Sequence, residues 1–161
     1  MDALQEVLDL SVVFTKPPLN SPPEALASVT LQCKALGLEH TGDLFTDPLT
    51  QAERDDLVWY LEEYWKWPYL EFAGRGKRVE TLLGEVGQRL YQALFQSKEA
   101  QAIFLTWQQR ENARHQISIV SEIAHILCLP WELLADPRGF LVLHADPPIA
   151  MVRRIPKGEL A

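Results

Sequence analysis

The sequence is poor in cysteine and in long apolar runs. Only two of its 161 residues are cysteines, Cys33 and Cys128, and their spacing fits neither a metal site nor a redox pair. This usage indicates a reduced, cytoplasmic protein. No run approaches the roughly 18 apolar residues of a membrane helix. The start, MDALQEVLDL, has three acids and none of the bases that open a secretory signal. We therefore expect no membrane partner.

Basic residues are also scarce in the first half of the chain. Residues 1–71 carry thirteen acids and four bases, whereas residues 72–161 carry nine acids and eleven bases. An acidic segment repels a phosphate backbone, so nucleic acid is not an expected partner. The nearly neutral second half is better suited to face another part of a larger protein. The length and an apolar content of 47% predict a single domain or lobe over residues 1–161.

The order of apolar patterns predicts strands at both ends and helices between them. The Pro-rich stretch TKPPLNSPPEA separates two strands that we expect to pair, and a turn is expected at 43–50. Thr50 and Glu53 form a capping box for the first helix, which Pro68 should end. The last two strands should form a hairpin across an Asp-Pro-Pro turn. The predicted strands are 9–14, 27–33, 114–121, 139–144 and 149–154, and the later helices are 76–96 and 98–108. This order predicts an α+β fold with central helices, short strands and a C-terminal β-hairpin.

The sequence offers no complete set of catalytic residues. Cys128 lies in an apolar run, where a cysteine is usually a small buried hydrophobe, and Cys33 lies inside a predicted strand. His40 precedes Thr41 and Gly42, but we expect a polar loop histidine there. A small enzyme that uses His40 and Cys128 is the less favoured alternative. We predict no catalytic residue, no cofactor and no metal.

Other short patterns favour structural roles over chemistry. Glu122 and His125 have the spacing of a helical di-metal site, but no second copy of that motif occurs. The stretch GRGK at 74–77 lacks the remaining residues of a phosphate loop. Gly84 and Gly87 weaken the second helix and allow close packing. Three further groups are assigned to the core, to a solvated helix face and to a solvated strand end. They are, in that order, the aromatic residues between Trp59 and Phe72, the acids at 55, 56, 62 and 63, and the pair Arg153 and Arg154, for which binding of a carboxylate in a neighbouring lobe is the alternative.

Several ordered blocks resemble one known family. LPWELL (129–134), DPRGFL (136–141) and IAMVRR (149–154) are similar to the leading segment of the CHAT family, which are bacterial caspase-like cysteine peptidases. The helical blocks 46–68 and 78–95 resemble the helices that precede it. The resemblance covers roughly residues 43–155, and the order of the blocks is more specific than any one of them.

The resemblance implies a caspase-like α/β sheet whose His–Cys dyad follows this segment. No such dyad occurs here, so no catalytic residue is carried over. The positions that match the family's signature are Pro130, Trp131, Glu132, Asp136 and Gly139, and we expect them to maintain the fold. Trp131 should anchor the turn in the core, while Glu132 accepts backbone amide bonds. Asp136 should cap the following turn, in which Gly139 adopts a positive φ.

The expected function follows from this resemblance. The C-terminal hairpin should be the first edge of a sheet whose other strands lie beyond Ala161, because an unpaired strand edge requires cover. The chain is then the non-catalytic N-terminal lobe of a CHAT-type cysteine endopeptidase. Its partner would be the remainder of the caspase-like domain, in the same or a separate chain. The alternative is a stand-alone interaction module that binds a protein or peptide through the open strand edge.

Overall fold

The computed structural model describes residues 5–66, 73–144 and 148–156. These residues form an α+β fold in which helices cover one face of a mixed sheet, so the predicted class is confirmed. The strands are β1 (Glu6–Thr15), β2 (Ala25–Cys33), β3 (Leu38–Thr46), β4 (Ala113–Val120), β5 (Ala135–Asp136), β6 (Gly139–Phe140) and β7 (Ala150–Arg154). The helices are α1 (Gln51–Glu62), α2 (Ala73–Leu94), α3 (Lys98–Gln108), α4 (Ala124–Leu127) and α5 (Leu141–His144).

The main sheet has five strands in the order β3-β2-β1-β4-β7. β2 runs antiparallel to both β1 and β3, while β4 pairs in parallel with β1 and with β7. Strands from both ends of the chain thus share one sheet, because the central helices carry the chain back to β4. β5 and β6 form a separate two-stranded hairpin.

The core lies between one face of the sheet and the helices. In β1 the even positions from Leu8 to Phe14 are buried, and the odd positions face the other side. This period of two is the pattern of a strand with one covered face. The opposite face carries a polar network in which the Asp9 carboxylate accepts hydrogen bonds from Ser11, Gln116 and Ser118.

Local sequence signals set the starts of two helices. At α1 the Thr50 hydroxyl accepts a bond from the Glu53 amide, and the Glu53 carboxylate accepts one from the Thr50 amide. The predicted capping box is therefore confirmed. At α3 the Ser97 hydroxyl accepts from the Ala100 amide in the same way. α3 has the bounds that the apolar spacing predicts, and Pro68 lies outside the described residues.

Close packing in α2 depends on Gly87. A methyl group at this position would lie 2.0 Å from the carbonyl oxygen of Leu133, so only glycine lets the helix approach the Pro-Trp-Glu turn. At Gly84 a methyl group would meet no atom within 4 Å. The expectation of close packing is thus correct for Gly87 and wrong for Gly84.

Three predictions about local structure are wrong. Residues 141–144 form the short helix α5 and not a strand, and β7 pairs in parallel with β4 and not with 139–144. The tight hairpin lies earlier, between β5 and β6. The turn expected at 43–50 begins within β3, an edge strand that the sequence pattern did not reveal. Among the described residues, no helix combines the length and apolar character needed to cross a membrane.

Candidate functional site

The signature residues follow one another along residues 130–139, and one of them, Glu132, contacts Arg153 of the edge strand β7. α4 leads into a short 3-10 turn, Trp131–Leu133, and the β5–β6 hairpin follows it directly. The amide of Leu141 donates to the Leu134 carbonyl and closes this segment. The turn and β7 are therefore neighbours, although many residues separate them in the chain.

Trp131 anchors the turn in the core. Its side chain is fully buried, and its indole Nε1 donates to the carbonyl of Ile126 at 2.8 Å. The ring lies 5.8 Å from the ring of Phe14 and 5.9 Å from that of Phe45. These contacts join the turn to β1 and β3, so the position of the turn is fixed by the sheet.

Arg153 of β7 binds the Pro-Trp-Glu turn and the residues before it through all three nitrogens of its guanidinium group. Its Nε donates to the Leu127 carbonyl at 2.8 Å, and Nη2 donates to the Leu129 carbonyl at 3.0 Å. Both terminal nitrogens also contact the Glu132 carboxylate, Nη2 at 2.7 Å from Oε2. These hydrogen bonds hold the pKa of Glu132 below its ordinary value. The pair Arg153 and Glu132, together with the two carbonyls, is called the arginine clamp below.

Asp136 and Gly139 shape the hairpin that follows. The Asp136 carboxylate is almost completely buried, and its Oδ1 accepts from the Arg138 amide at 2.9 Å. Its Oδ2 accepts from the Arg138 guanidinium and, at 3.4 Å, from Gln108. Gly139 has a φ of +129°, a conformation that other residues rarely adopt. Pro130 lies directly before the Trp131 turn and is half-buried.

The two edges of the main sheet differ. β3 has an irregular register near Gly42, and the Gln96 side chain donates to the Leu44 carbonyl. Such devices protect an edge from further pairing. β7 pairs with β4 without any register shift. Because the Arg154 carbonyl accepts from Ser121 on the β4 side and successive residues alternate, the backbone groups of Met151 and Arg153 point to the open side.

The two cysteines lie in opposite environments. Cys33 is buried, and burial raises the pKa of its thiol. Cys128 is exposed, so the expectation that it is a buried hydrophobe is wrong. It faces outward because α4 and the following turn place Ile126 and Leu129 in the core.

The candidate histidines are engaged elsewhere and do not reach Cys128. His40 lies in β3, not in a loop, and its Nε2 is 3.1 Å from the Ser97 hydroxyl and 3.3 Å from Asp43. Ser97 and Asp43 contact the same ring nitrogen of His40. In a catalytic triad, one ring nitrogen of the histidine contacts the nucleophile and the other contacts the orienting carboxylate. Ser97 caps α3 through its hydroxyl, and His40 and Asp43 contact that same hydroxyl, so a structural role accounts for the three residues.

His125 belongs to a second polar cluster that the sequence did not indicate. Its Nε2 lies 2.5 Å from Asp47, which also binds Arg54, so Glu122 is not its partner. Within residues 5–66, 73–144 and 148–156, no three His, Cys, Asp or Glu side chains are grouped to hold a metal ion.

Of the aromatic residues between Trp59 and Phe72, those whose side chains are described are only half-buried. Tyr60 stacks on Tyr64 with ring centroids 5.1 Å apart, and the Arg75 guanidinium lies 4.0 Å above the Trp59 ring. Trp67, Tyr69 and Phe72 lie outside the described residues. Trp59 and Tyr60 pack against the margin of the core.

The strongest functional feature is thus the outer edge of β7, with which no other strand of the described residues pairs and which the arginine clamp joins to the Pro-Trp-Glu turn. The sequence predicted that Arg153 ends a solvated strand, or that it binds a carboxylate of a neighbouring lobe, whereas its carboxylate partner Glu132 lies in this chain. No protein-family model, curated protein or solved structure matches this chain.

Proposed function

We propose that this chain is the non-catalytic N-terminal lobe of a CHAT-type caspase-like cysteine endopeptidase. In this proposal β7 receives the next strand of the sheet, and a His–Cys site outside this chain carries out the cleavage. The partner is the remainder of the caspase-like domain, in the same or a separate polypeptide, in the reducing cytoplasm of a bacterium.

The regular, open edge of β7 is the observation that carries the proposal. No strand of the described residues pairs with its outward backbone groups, at Met151 and Arg153, while the β3 edge is protected by its irregular register and by Gln96. An exposed regular edge tends to pair with another strand unless something covers it. The sheet is therefore best extended at β7.

The arginine clamp supports the same reading. It binds β7 to the turn that resembles the family's Pro-Trp-Glu signature, and Arg153 itself lies in the block IAMVRR that carries the resemblance. A strand held in place before it meets its partner loses less conformational entropy on pairing. The signature residues would thus position an edge and take no part in the chemistry.

The described residues also fit a lobe without its own active site. His40 contacts Ser97 and Asp43, and His125 contacts Asp47 and Arg54. Neither histidine is placed to activate a cysteine, since a nucleophile and its base must lie within hydrogen-bond reach.

The mass of the native polypeptide tests the proposal. An antibody against residues 46–95 would detect the protein in its own cells. We expect a band far above 18.3 kDa, or a large precursor that is converted to a fragment near this mass on stimulation. The purified large form should cleave peptides, and an alkylating agent directed at its downstream cysteine should stop it. A single band near 18.3 kDa that has no precursor and copurifies with no peptidase activity would contradict the proposal.

A stand-alone interaction module is the second candidate, and the same open edge favours it. An extended peptide from a partner would add to β7 as a new strand through backbone hydrogen bonds. This reading requires a native polypeptide of about the present size that binds without turnover. Slower hydrogen exchange at the Met151 and Arg153 amides in the presence of the partner would support it.

A further inference from the structure

A groove lies beside the β5–β6 hairpin, away from the β7 backbone. α2 and α3 form its walls, and the start of the hairpin closes one end. Its volume is about 480 Å³, within the usual range for sites that bind small ligands. Its lining residues are Gln88, Tyr91, Gln92, Gln101, Leu105, Ala135, Asp136 and Pro137.

Neutral amides dominate the polar part of this groove. Gln88 and Gln92 lie one helical turn apart on α2, and Gln101 faces them from α3. Gln101 is fixed by a bond from its Nε2 to the Phe95 carbonyl, which leaves its oxygen free to accept. Among the described residues, the side chains of Gln88 and Gln92 have no hydrogen-bond partner. Each carboxamide offers both donors and an acceptor.

Tyr91 adds a hydroxyl to the groove. Its ring packs against Phe95 and Phe104, with centroid distances of 4.9 and 5.2 Å. Burial, and after it the charge of Asp136, raises the pKa of Tyr91, so its hydroxyl stays protonated and can donate. The hydroxyl has no hydrogen-bond partner within the part of the chain that the structure describes.

The electrostatics of the groove select a neutral ligand. Asp136 is the one charged residue of the lining, and its carboxylate is 4% exposed and bound by Arg138 and Gln108. The charge of Asp136 is offset by Arg138, whose guanidinium also acts on Tyr91, so this end of the groove has little net charge and favours an uncharged ligand. Leu105, which is 49% exposed, and Pro137 supply apolar contact.

We infer that the groove binds a short, uncharged peptide segment in an extended conformation, with its backbone amides paired to Gln88, Gln92, Gln101 and the Tyr91 hydroxyl. A peptide backbone alternates donors and acceptors, which is the chemistry that facing carboxamides match. A sugar is less suited, because the Tyr91 ring is engaged with Phe95 and Phe104 and offers no stacking platform. This site goes beyond the strand pairing at β7 and does not depend on it.

The test is an NMR titration of the full chain, labelled with nitrogen-15, with the blocked peptide acetyl-Ala-Leu-Ala-Ala-amide. We expect saturable shifts at the amides of Gln88, Tyr91, Gln92 and Gln101. The Gln88→Ala/Gln92→Ala variant should weaken binding by roughly tenfold or more, since two hydrogen bonds are lost. Gln109→Ala, at an exposed glutamine outside the groove, is the matched control and should leave the affinity unchanged.

Three outcomes would overturn the inference. They are no saturable shift at millimolar peptide, shifts that the double variant does not weaken, and an equal response to maltotriose. Shifts confined to β7 would also count against the groove. The spectrum of each variant shows whether it is folded, and Tyr91→Phe provides a second test because it removes the hydroxyl alone. Its affinity for the peptide should fall several-fold.

Discussion

The guanidinium of Arg153 binds the carboxylate of Glu132 and two backbone carbonyls, that of Leu127 at the end of α4 and that of Leu129 just before the turn. A single side chain of the edge strand thus bonds to the α4 end and to the Pro-Trp-Glu turn. The carboxylate is 55% exposed, so water screens the charge pair. The hydrogen bonds to the two carbonyls fix the orientation of the guanidinium group. The carboxylate adds charge-assisted hydrogen bonds to the same group.

Replacing Glu132 by Gln should loosen β7 with little loss of global stability. We expect the free energy of unfolding to fall by about 0.5–1 kcal/mol, as for an exposed ion pair. The amides of β7 should exchange faster, because Arg153 then loses the charged, two-oxygen partner at position 132 and keeps one neutral amide oxygen there. Urea unfolding and hydrogen exchange measure the two effects. Glu122→Gln, at a nearby exposed position, is the control, and equal exchange rates in the two variants would refute the role of the clamp.

Glu53 should make stability depend on pH below about 5. Hydrogen bonds from Arg89 lower the pKa of Glu53 from 4.5 to about 2. Because this pKa is lower in the folded than in the unfolded state, the contribution is fully present above about pH 4.5 and is lost as the pH falls towards 2. With allowance for solvent screening, its size is about 1–2 kcal/mol.

Urea unfolding as a function of pH tests this linkage. Glu53→Gln should lower stability by about 1–2 kcal/mol at pH 7 and flatten the decline between pH 5 and 2. Glu62→Gln, at an exposed position at the end of α1, should leave the profile unchanged. An unaltered slope in Glu53→Gln would show that other carboxylates cause the acid sensitivity.

Gly87 and Gly84 should respond in opposite directions to alanine. At Gly87 the new methyl group would lie 2.0 Å from the Leu133 carbonyl oxygen and 3.0 Å from the Ala135 Cβ. The turn must then shift, which should cost about 1–3 kcal/mol. At Gly84 no atom lies within 4 Å, and alanine should stabilise α2 by about 0.5–1 kcal/mol. Thermal unfolding of Gly87→Ala and Gly84→Ala measures both effects. A higher stability in both variants would exclude the close approach at Gly87.

Cys128 should react with a thiol reagent in the folded protein, and Cys33 should not. Cys128 is exposed, whereas Cys33 is buried with its pKa raised by burial. Mass spectrometry after treatment with iodoacetamide should therefore show one adduct on the native chain and two after denaturation. Cys128→Ser should abolish the native adduct. Rapid modification of Cys33 in the folded state would contradict its burial.

The sequence predicted elements whose signals are local and missed those set by distant contacts. The capping box at Thr50 and the alternation of residues 27–33, in β2, are recognised from neighbouring residues, so both were found. β3 was missed because an edge strand with a bulge at Gly42 shows little alternation. Residues 141–144 are a short apolar run, for which periodicity does not distinguish a strand from a helix.

In the candidate site, too, features with a local sequence signal were predicted and those formed by distant contacts were missed. The Trp131 turn could be singled out from its sequence block, but its partner Arg153 is supplied by the fold. The burial expected for Cys128 was wrong because residues adjacent in the chain point to different sides of a helical turn. Its apolar neighbours in sequence therefore do not place Cys128 in the core. The carboxamides of the groove lie on two helices, and nothing in either helix alone indicates that they face each other.

Proline substitutions in β7 should reveal which side of the strand is open. The Val152 amide faces β4, since it lies on the same side as the Arg154 carbonyl, which accepts from Ser121. Val152→Pro removes that amide and leaves a carbonyl of β4 without its donor, which should cost about 1–3 kcal/mol. The Met151 amide points outward, so proline there removes no bond of the sheet. The free energies of unfolding of Met151→Pro and Met151→Ala should therefore differ by no more than about 1 kcal/mol. Urea unfolding of the three variants makes the comparison. Equal losses at Met151→Pro and Val152→Pro would mean that both amides are already bonded and that β7 is not an open edge.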